Sequence, residues 1–262
     1  MPKFAANLTM MFNEVAFPER FAAAAAAGFT AVEFLFPYDH PAQDVAAWLQ
    51  HNALENVLFN LPPGDWAAGE RGIAALPGRE EEFEAGVALA IKYALALGTP
   101  RVHMMAGLVP AGADLGPHHD AYVRNLRHAA AAVGAHGLAL LIEPINGRDM
   151  PGYFLASQRQ AHALRLECGA PNVQVQMDFY HAQISEGDLA TTLRKHIDAI
   201  GHVQIASVPA RNEPDDGEVN YPFLFRLLDE LGYAGWIGCE YRPRGRTEDG
   251  LGWLAEARRQ AF

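Results

Sequence analysis

Four short apolar runs of the chain each end in, or close to, a residue that can bind a metal ion or move a proton. These residues are Glu143, Asp178, Gln204 and Glu240. Unpaired charges are heavily penalised in a protein core, so four such strand ends indicate one shared site. Three carboxylates and an amide oxygen suit a hard divalent ion, and we expect Mg²⁺ or Mn²⁺. The alternative for any one of these residues is that it caps a neighbouring helix or pairs with an arginine.

Further candidate residues lie near these strand ends. His181 follows Asp178 by three residues and could face a ligand, although a loop histidine bonded to backbone fits the spacing equally well. Arg211 could hold a substrate carboxylate through a two-pronged contact, or could form an ordinary surface ion pair. His103 and Glu33 also end predicted strands, and either fits a satisfied polar group of the core.

The apolar runs predict strands that are buried on both faces, as in a parallel sheet. About eight strand and helix pairs follow one another with a period of about 30 residues, which predicts helical crossovers between parallel strands. Eight units indicate an α/β fold of one closed (β/α)8 TIM barrel over residues 1–262, with its site where the strand C-termini emerge. An open doubly wound sheet is the alternative, but it needs no eighth unit, and the sequence has no G-x-G-x-x-G motif.

Two boundaries of this assignment bear on the site. The spacing predicts a strand over Ala31–Phe36, and a helix over Leu189–Ile200 that is followed by a strand from His202. The chain after Asp178 is expected to leave its strand as a loop. Side chains alternate along a strand, so residues two apart, such as Gln204 and His202, share a face.

The connection at residues 61–78 is long for a compact barrel. It contains three prolines and four glycines together with Trp66, Glu70 and Arg71. Loops of this length are usually functional or disordered. The aromatic and charged residues favour a lid over the site, and we expect Glu70 and Arg71 to contact the substrate.

Composition excludes several classes of function. The net charge of −11 opposes a nucleic-acid surface but allows a small anionic ligand held by a few arginines. Two cysteines do not suggest a disulfide framework, and neither a signal peptide nor a membrane span is evident, so we expect a cytoplasmic protein. The nucleophile elbow, C-x-x-C, H-E-x-x-H and P-loop motifs are absent.

Several segments resemble the hydroxypyruvate isomerase family, which includes 2-oxotetronate isomerases. They are Phe4–Phe12, Ala31–Tyr38, Pro63–Gly72, Leu76–Arg79, Glu213–Tyr221 and Gly235–Tyr241. The resemblance runs from end to end and implies a xylose-isomerase-like barrel that interconverts hydroxypyruvate with tartronate semialdehyde, or 2-oxotetronate with 3-oxotetronate. Glu213–Tyr221 and Val102–Gly107 look closer to the four-carbon enzymes, and Trp66–Gly72 looks closer to the three-carbon enzymes.

The resemblance also implies roles for individual residues. Glu143 and Glu240 would be the catalytic pair and, with Asp178 and Gln204, would hold the metal. Many relatives have histidine where Gln204 stands, so this ligand departs from the pattern. His181 and Arg211 match substrate-contacting positions, and we also expect His103 to bind substrate. A homo-oligomer is compatible with the sequence.

Two other functions stay open at this point. A non-catalytic sugar-acid binding protein could use the same barrel. Asp178–His181 resembles part of the endonuclease IV motif, but the three-zinc site of that nuclease needs more histidines at strand ends than this chain supplies.

Overall fold

The computed structural model describes residues 2–259, in which eight parallel strands form a closed barrel in sequence order. The first four strands are β1 Lys3–Asn7, β2 Ala31–Glu33, β3 Glu55–Asn60 and β4 Arg101–His103. The last four are β5 Ala139–Ile142, β6 Val173–Asp178, β7 Ile200–Ile205 and β8 Trp236–Cys239. Strand β8 pairs with β1, which closes the barrel and confirms the predicted fold class.

Helices surround the barrel. In the first half they are α1 Phe17–Ala26, α2 Ala42–His51, α3 Glu80–Leu97 and α4 Leu115–Gly134. In the second half they are α5 Gln158–Cys168, α6 Phe179–Ser185, α7 Leu189–His196, α8 Tyr221–Glu230 and α9 Gly252–Arg259. Their boundaries follow local signals, such as Gly98, which ends α3 with a left-handed φ of 67°. In the described range, none of these helices is both long and apolar enough to span a membrane.

Three details of the predicted elements were wrong. Strand β2 ends at Glu33 rather than Phe36, where its pairing with β3 shifts register. The predicted helix over 189–200 ends at His196, because residues 197–199 form a 3-10 turn and Ile200 already belongs to β7. The chain after Asp178 is a short helix rather than a loop, since the Asp178 side chain accepts from the backbone N–H of Tyr180 and caps α6.

The barrel interior is layered. A small apolar plug, separate from the main core, contains Ala5, Ala31, Val57, Leu58 and Leu141. Polar residues follow two positions further along the strands, on the same face, as in Asn7 after Ala5 and Glu33 after Ala31. The strand alternation therefore places the polar residues in a layer above the plug, toward the strand C-termini.

The connection over residues 61–78 is anchored to the barrel rim. An isolated antiparallel bridge joins Gly72 to Ala106, just beyond β4, and the N–H of Ala75 donates to the Ala106 carbonyl. Glu70 pairs with Arg79 at 2.7 Å and accepts from the N–H of Asp65. These contacts give the loop a fixed course beside the barrel mouth.

Candidate active site

A cavity of about 560 Å³ opens at the C-terminal end of the barrel. Five of the predicted site residues line it, namely Arg71, Glu143, His181, Arg211 and Glu240. They come from the ends of β5, β6, β7 and β8 and from the loop after β3. The cavity therefore lies at the end of the barrel that the sequence predicted, where the strand C-termini emerge.

Glu240 lies one residue beyond β8, and both of its carboxylate oxygens are engaged. Oε1 accepts from Nη2 of Arg211 at 2.8 Å. Oε2 accepts from Nε2 of Gln204 at 2.5 Å and from Nδ2 of Asn7 at 3.3 Å. Burial raises the pKa of Glu240 to about 8, although Arg211 opposes that rise.

Glu143 lies one residue beyond β5 and faces the same cavity. Its Oε2 is 3.7 Å from Nδ1 of His103, and within the described residues its buried Oε1 has no hydrogen-bond partner. Burial raises the pKa of Glu143, and the charges of Glu240 and Asp178 raise it further. The two glutamates therefore hold protons more tightly than exposed carboxyls do.

Asp178 is fully buried at the end of β6. One oxygen caps α6, and the other, Oδ2, lies 3.7 Å from Nε2 of His181 and 3.9 Å from Nη2 of Arg211. Oδ2 accepts no hydrogen bond from the described residues. Burial raises the pKa of Asp178 to about 6, against the lowering effect of Arg211.

His181 stands in the first turn of α6, which Asp178 starts. Its Nδ1 lies 2.6 Å from Nδ2 of Asn146, and its Nε2 lies 3.3 Å from Nη2 of Arg211. Burial lowers the pKa of His181, and Arg211 lowers it further. The imidazole is therefore neutral at pH 7, the state in which it can bind a metal or hydrogen-bond to a substrate hydroxyl.

Arg211 connects the acidic residues. Besides contacting Glu240 and Asp178, it donates from Nη1 to Asp149 at 3.4 Å, and its guanidinium lies 4.9 Å from the ring centroid of Tyr180. Burial works against its charge, but the surrounding carboxylates outweigh burial and raise the pKa of Arg211. Its backbone adopts a left-handed φ of 58° in the loop after β7.

Gln204 lies in the polar layer below the cavity. Its Oε1 accepts from Gln176 at 2.6 Å, and its Nε2 donates to Glu33 at 2.7 Å as well as to Glu240. In this arrangement the amide presents nitrogen to Glu240. Metal binding through its oxygen would require the amide to turn over, so the role of Gln204 as a ligand stays a prediction.

Three predicted substrate contacts occupy different surroundings. The Arg71 guanidinium stacks on Trp66 at 3.9 Å and lines the cavity, and its Nη1 donates to the carbonyl of Glu70 at 2.7 Å. The Glu70 side chain, in contrast, braces the loop through Arg79. His103 is buried beneath the cavity, with Nδ1 3.2 Å from Oδ1 of Asn60. The substrate roles of Glu70 and His103 therefore stay predictions.

One group of side chains could hold a metal ion. Ligand atoms of Glu143, Asp178 and His181 all lie within 4.8 Å of one another. The unpartnered oxygens of the two carboxylates, together with a neutral imidazole, fit a divalent ion. Two of the four predicted ligands thus belong to this group, whereas Gln204 and Glu240 are hydrogen-bonded to each other beside it.

Several residues of the site were not predicted from the sequence. Asn7 donates to Glu240, Asn146 contacts His181, and Asp149 contacts Arg211. Asn7 and Asn146 carry a detectable signal, because each is a polar residue at or just after a buried strand end. Asp149 lies in an irregular loop, and nothing in its sequence context distinguishes it.

Comparison with known proteins agrees with this geometry. The family profile described as xylose isomerase-like TIM barrel matches residues 21–257. A 2-oxo-tetronate isomerase from Cupriavidus necator is 59% identical, over 97% of this chain and 98% of that protein. A hydroxypyruvate isomerase from Escherichia coli K12 is 49% identical over the same shares.

A solved structure agrees as well. The crystal structure of a protein called AP endonuclease, family 2, from Brucella melitensis superimposes with a TM-score of 0.96. It is 54% identical, and the match covers 98% of this chain and 99% of that one. The chain therefore belongs to the hydroxypyruvate isomerase family, including the 2-oxotetronate isomerases, within the xylose isomerase-like TIM barrels.

Proposed function

We propose that this chain is an isomerase of short sugar acids that moves a proton between adjacent carbons, with 2-oxotetronate as its preferred substrate and hydroxypyruvate as the alternative. The observation that carries the proposal is that Glu143 and Glu240, from different strands, line one cavity at the barrel mouth. The chain is 59% identical to the 2-oxo-tetronate isomerase and 49% identical to the hydroxypyruvate isomerase, which supports 2-oxotetronate as the preferred substrate.

The reaction needs a base at a carbon that bears a hydroxyl group and an acid at the neighbouring carbonyl carbon. Removing the carbon-bound proton gives an enediolate, the hydroxyl proton passes to the former carbonyl oxygen, and the former carbonyl carbon then takes a proton. We assign the two proton transfers at carbon to Glu143 and Glu240, which exchange roles in the reverse direction. Their raised pKa values suit groups that must take and return a proton near neutral pH.

Arg211 and His181 are placed to stabilise the intermediate. Negative charge develops on oxygen as the carbon loses its proton, and fixed donors in a buried site stabilise such charge effectively. The Arg211 guanidinium is held by Glu240 and Asp149, so it can donate without first being reoriented. His181 is held by Asn146 and can contact a substrate hydroxyl.

The substrate carboxylate is assigned to Arg71. Arg211 is already paired with carboxylates, and Arg148 donates to Tyr180 and to the Pro209 carbonyl. Arg71 forms no ion pair with any described residue, although its stacking on Trp66 holds it at the cavity. We further propose that residues 61–78 cover the bound substrate and keep water from the reactive intermediate.

A divalent ion, with Mg²⁺ and Mn²⁺ as the expected identities, would be held by Glu143, Asp178 and His181. When bound, it would polarise the substrate carbonyl and favour the ionised form of the carboxylates around it. Whether activity requires the ion is tested by comparing the turnover of enzyme treated with a chelator with that of enzyme supplied with each ion.

We also propose a cytoplasmic location and a small-molecule ligand rather than a nucleic acid. Both cysteines, Cys168 and Cys239, are free, which favours a reducing compartment. The net charge of −11 disfavours binding to phosphate backbones. A homo-oligomer is tested by light scattering of the purified protein.

The decisive experiment follows proton exchange. Purified enzyme is given 2-oxotetronate and hydroxypyruvate separately in deuterated water, with each metal and without it. Isomerisation with deuterium entering the product carbon supports the proposal, and Glu240→Gln should lower turnover by about 10²-fold to 10⁴-fold. The exposed Glu248→Gln is the matched control and should retain activity. Binding without exchange would instead indicate a sugar-acid binding protein.

A further inference from the structure

A buried carboxylate below the cavity has no part in the mechanism above. Glu33, the last residue of β2, is only 1% exposed. Its carboxylate accepts from Nδ2 of Asn7 at 2.9 Å, from Nε2 of His202 at 2.6 Å and from Nε2 of Gln204 at 2.7 Å. Burying a carboxylate is costly without such donors, so these contacts make Glu33 tolerable within the barrel.

Two of these three donors also reach Glu240. Gln204 and Asn7 each donate to Oε2 of Glu240 as well as to Glu33. A side-chain amide has two N–H groups, so each amide uses one on Glu33 and the other on Glu240. Two parallel amide links therefore connect the buried carboxylate to the proposed proton-transfer group.

The orientation of these amides is fixed from more than one side. Gln176 donates to the carbonyl oxygen of Gln204, so turning that amide over would place two N–H groups against each other. With Oε2 of Glu240 held by the amides, Oε1 is directed to Arg211. Glu33 thus lies at the base of a network that sets the plane of the Glu240 carboxylate.

The barrel wall also leaves room for the Glu33 carboxylate. Gly238 lies two residues before Glu240 on the same face of β8, and a Cβ at this position would collide with the Glu33 side chain. Any larger residue at 238 would push Glu33 away from the amides. The space beneath Glu240 is therefore filled by a carboxylate from β2 instead of a side chain from β8.

We propose that Glu33, held by His202, is a positioning residue for Glu240 and acts through the amides of Gln204 and Asn7. The inference rests on the proposed function, because it assigns Glu33 a role in orienting the group that moves the substrate proton. Glu33 itself does not line the cavity. We expect its main effect on the geometry of proton transfer, where a misplacement of about 1 Å can cost about 10²-fold in rate.

The first test is Glu33→Gln, which keeps the shape but brings an N–H group of its own among the three donors. We expect kcat to fall by about 100-fold. Because the lost interaction acts on proton transfer, KM should change by less than about threefold. The isotope effect on kcat with substrate deuterated at the reacting carbon should also rise. A purely structural role would instead lower the folded fraction and leave the kcat of the folded enzyme and the isotope effect unchanged.

A second pair of variants keeps the test informative if Glu33→Gln folds poorly. His202→Gln can still donate to Glu33, whereas His202→Leu cannot. We expect His202→Gln to recover most of the kcat that His202→Leu loses. Thr99→Val is the matched control, because it removes a buried hydrogen bond, to Asn56, at the opposite end of the barrel. Its kcat should equal that of the wild type.

The outcomes separate the two proposals. If the wild-type protein catalyses no exchange on either sugar acid, the proposed function fails. If the wild type is active and folded Glu33→Gln retains its kcat, or loses no more kcat than Thr99→Val does, the positioning role of Glu33 is overturned and the proposed function stands.

Discussion

Nη2 of Arg211 donates to Oε1 of Glu240 over 2.8 Å, inside a barrel mouth where both side chains are largely buried. The contact places a fixed positive charge at the cavity wall, next to a carboxylate whose pKa is raised by burial. Arg211 therefore limits the charge repulsion among the acidic residues.

Removing this cation should destabilise the protein in a pH-dependent way. Removing one partner of a buried ion pair typically lowers the free energy of unfolding by about 3–5 kcal/mol. For Arg211→Met we expect a loss of this size at pH 8 and a smaller loss at pH 5.5, where the carboxyls take up protons. Urea unfolding at both pH values measures it. Arg148→Met is the control, because Arg148 also contacts Asp149 and Tyr180 but is half exposed, and it should cost less than about 1 kcal/mol.

The stability of the metal-free protein should fall as pH rises from about 6.5 to about 8. The pKa of Asp178 is raised to about 6 and that of Glu240 to about 8, both mainly by burial. Unfolded Asp and Glu titrate near about 4, so above about pH 6.5 the folded state keeps a proton on Glu240 that the unfolded state has lost, and it becomes less stable with rising pH. Below that range the buried histidines His103, His162 and His181, whose pKa values burial lowers, act in the opposite direction. Thermal denaturation from about pH 6.5 to about pH 8 tests the sign. A rise in melting temperature would contradict the raised pKa values.

Divalent ions should bind the group of Glu143, Asp178 and His181 and release protons. Ionised carboxylates bind metal, so Mn²⁺ binding at pH 6 should displace the protons that burial retains. Calorimetric titration in buffers of different ionisation enthalpy measures the number released. Asp178→Asn should weaken binding by at least about tenfold, a loss of about 1.4 kcal/mol. Equal affinity in this variant would exclude the site.

Arg71 should determine recognition of the substrate carboxylate. Charge-assisted hydrogen bonds contribute about 1.5–3 kcal/mol, so Arg71→Ala should raise KM for a sugar acid by about 10-fold to 150-fold. Trp66→Leu should raise KM by a smaller factor, because it removes only the stacking that holds the guanidinium. If Arg242→Ala raises KM instead and Arg71→Ala does not, the carboxylate lies on the other side of the cavity.

Gly72 should be essential to the course of the loop. Its φ is 97°, and a Cβ at this position would collide with the backbone of Met105. Gly69 has a φ of 99° but open space around it, so Gly69→Ala isolates the conformational cost, about 1–3 kcal/mol. Gly72→Ala should cost clearly more in unfolding free energy and should raise KM. If both variants lose the same unfolding free energy, the loop backbone moves to make room for a Cβ at residue 72.

The barrel and the line-up of its polar strand ends could be predicted from the sequence because both depend on short-range patterns. A period of two along each strand places Glu143, Asp178, Gln204 and Glu240 on the inner face, and the cavity forms at the expected end. In contrast, the partners of each side chain depend on strands far apart in the chain. Gln204 donates to Glu33, which lies 171 residues away in the chain. No pattern in the neighbouring sequence indicates this contact.

Ambiguous local signals account for the other errors. Asp178 has the position of a metal ligand and also that of a helix cap, and the sequence pattern leaves both roles open. Ile197 and Ile200 continue the apolar spacing of α7, yet Ile200 begins β7, because a 3-10 turn intervenes. In both cases one residue satisfies two patterns, and only the packing of the complete barrel decides between them.

The two halves of the chain supply different parts of the candidate site. Glu143, Asp178, His181, Arg211 and Glu240 all come from β5 to β8 and the segments that follow them, whereas the loop over residues 61–78, which carries Arg71, comes from the first half. A change confined to this loop can therefore alter the proposed contact with the substrate carboxylate while Glu240 keeps its contacts with Asn7 and Gln204. Preference for chain length and competence in proton transfer can consequently diverge independently among proteins built on this plan.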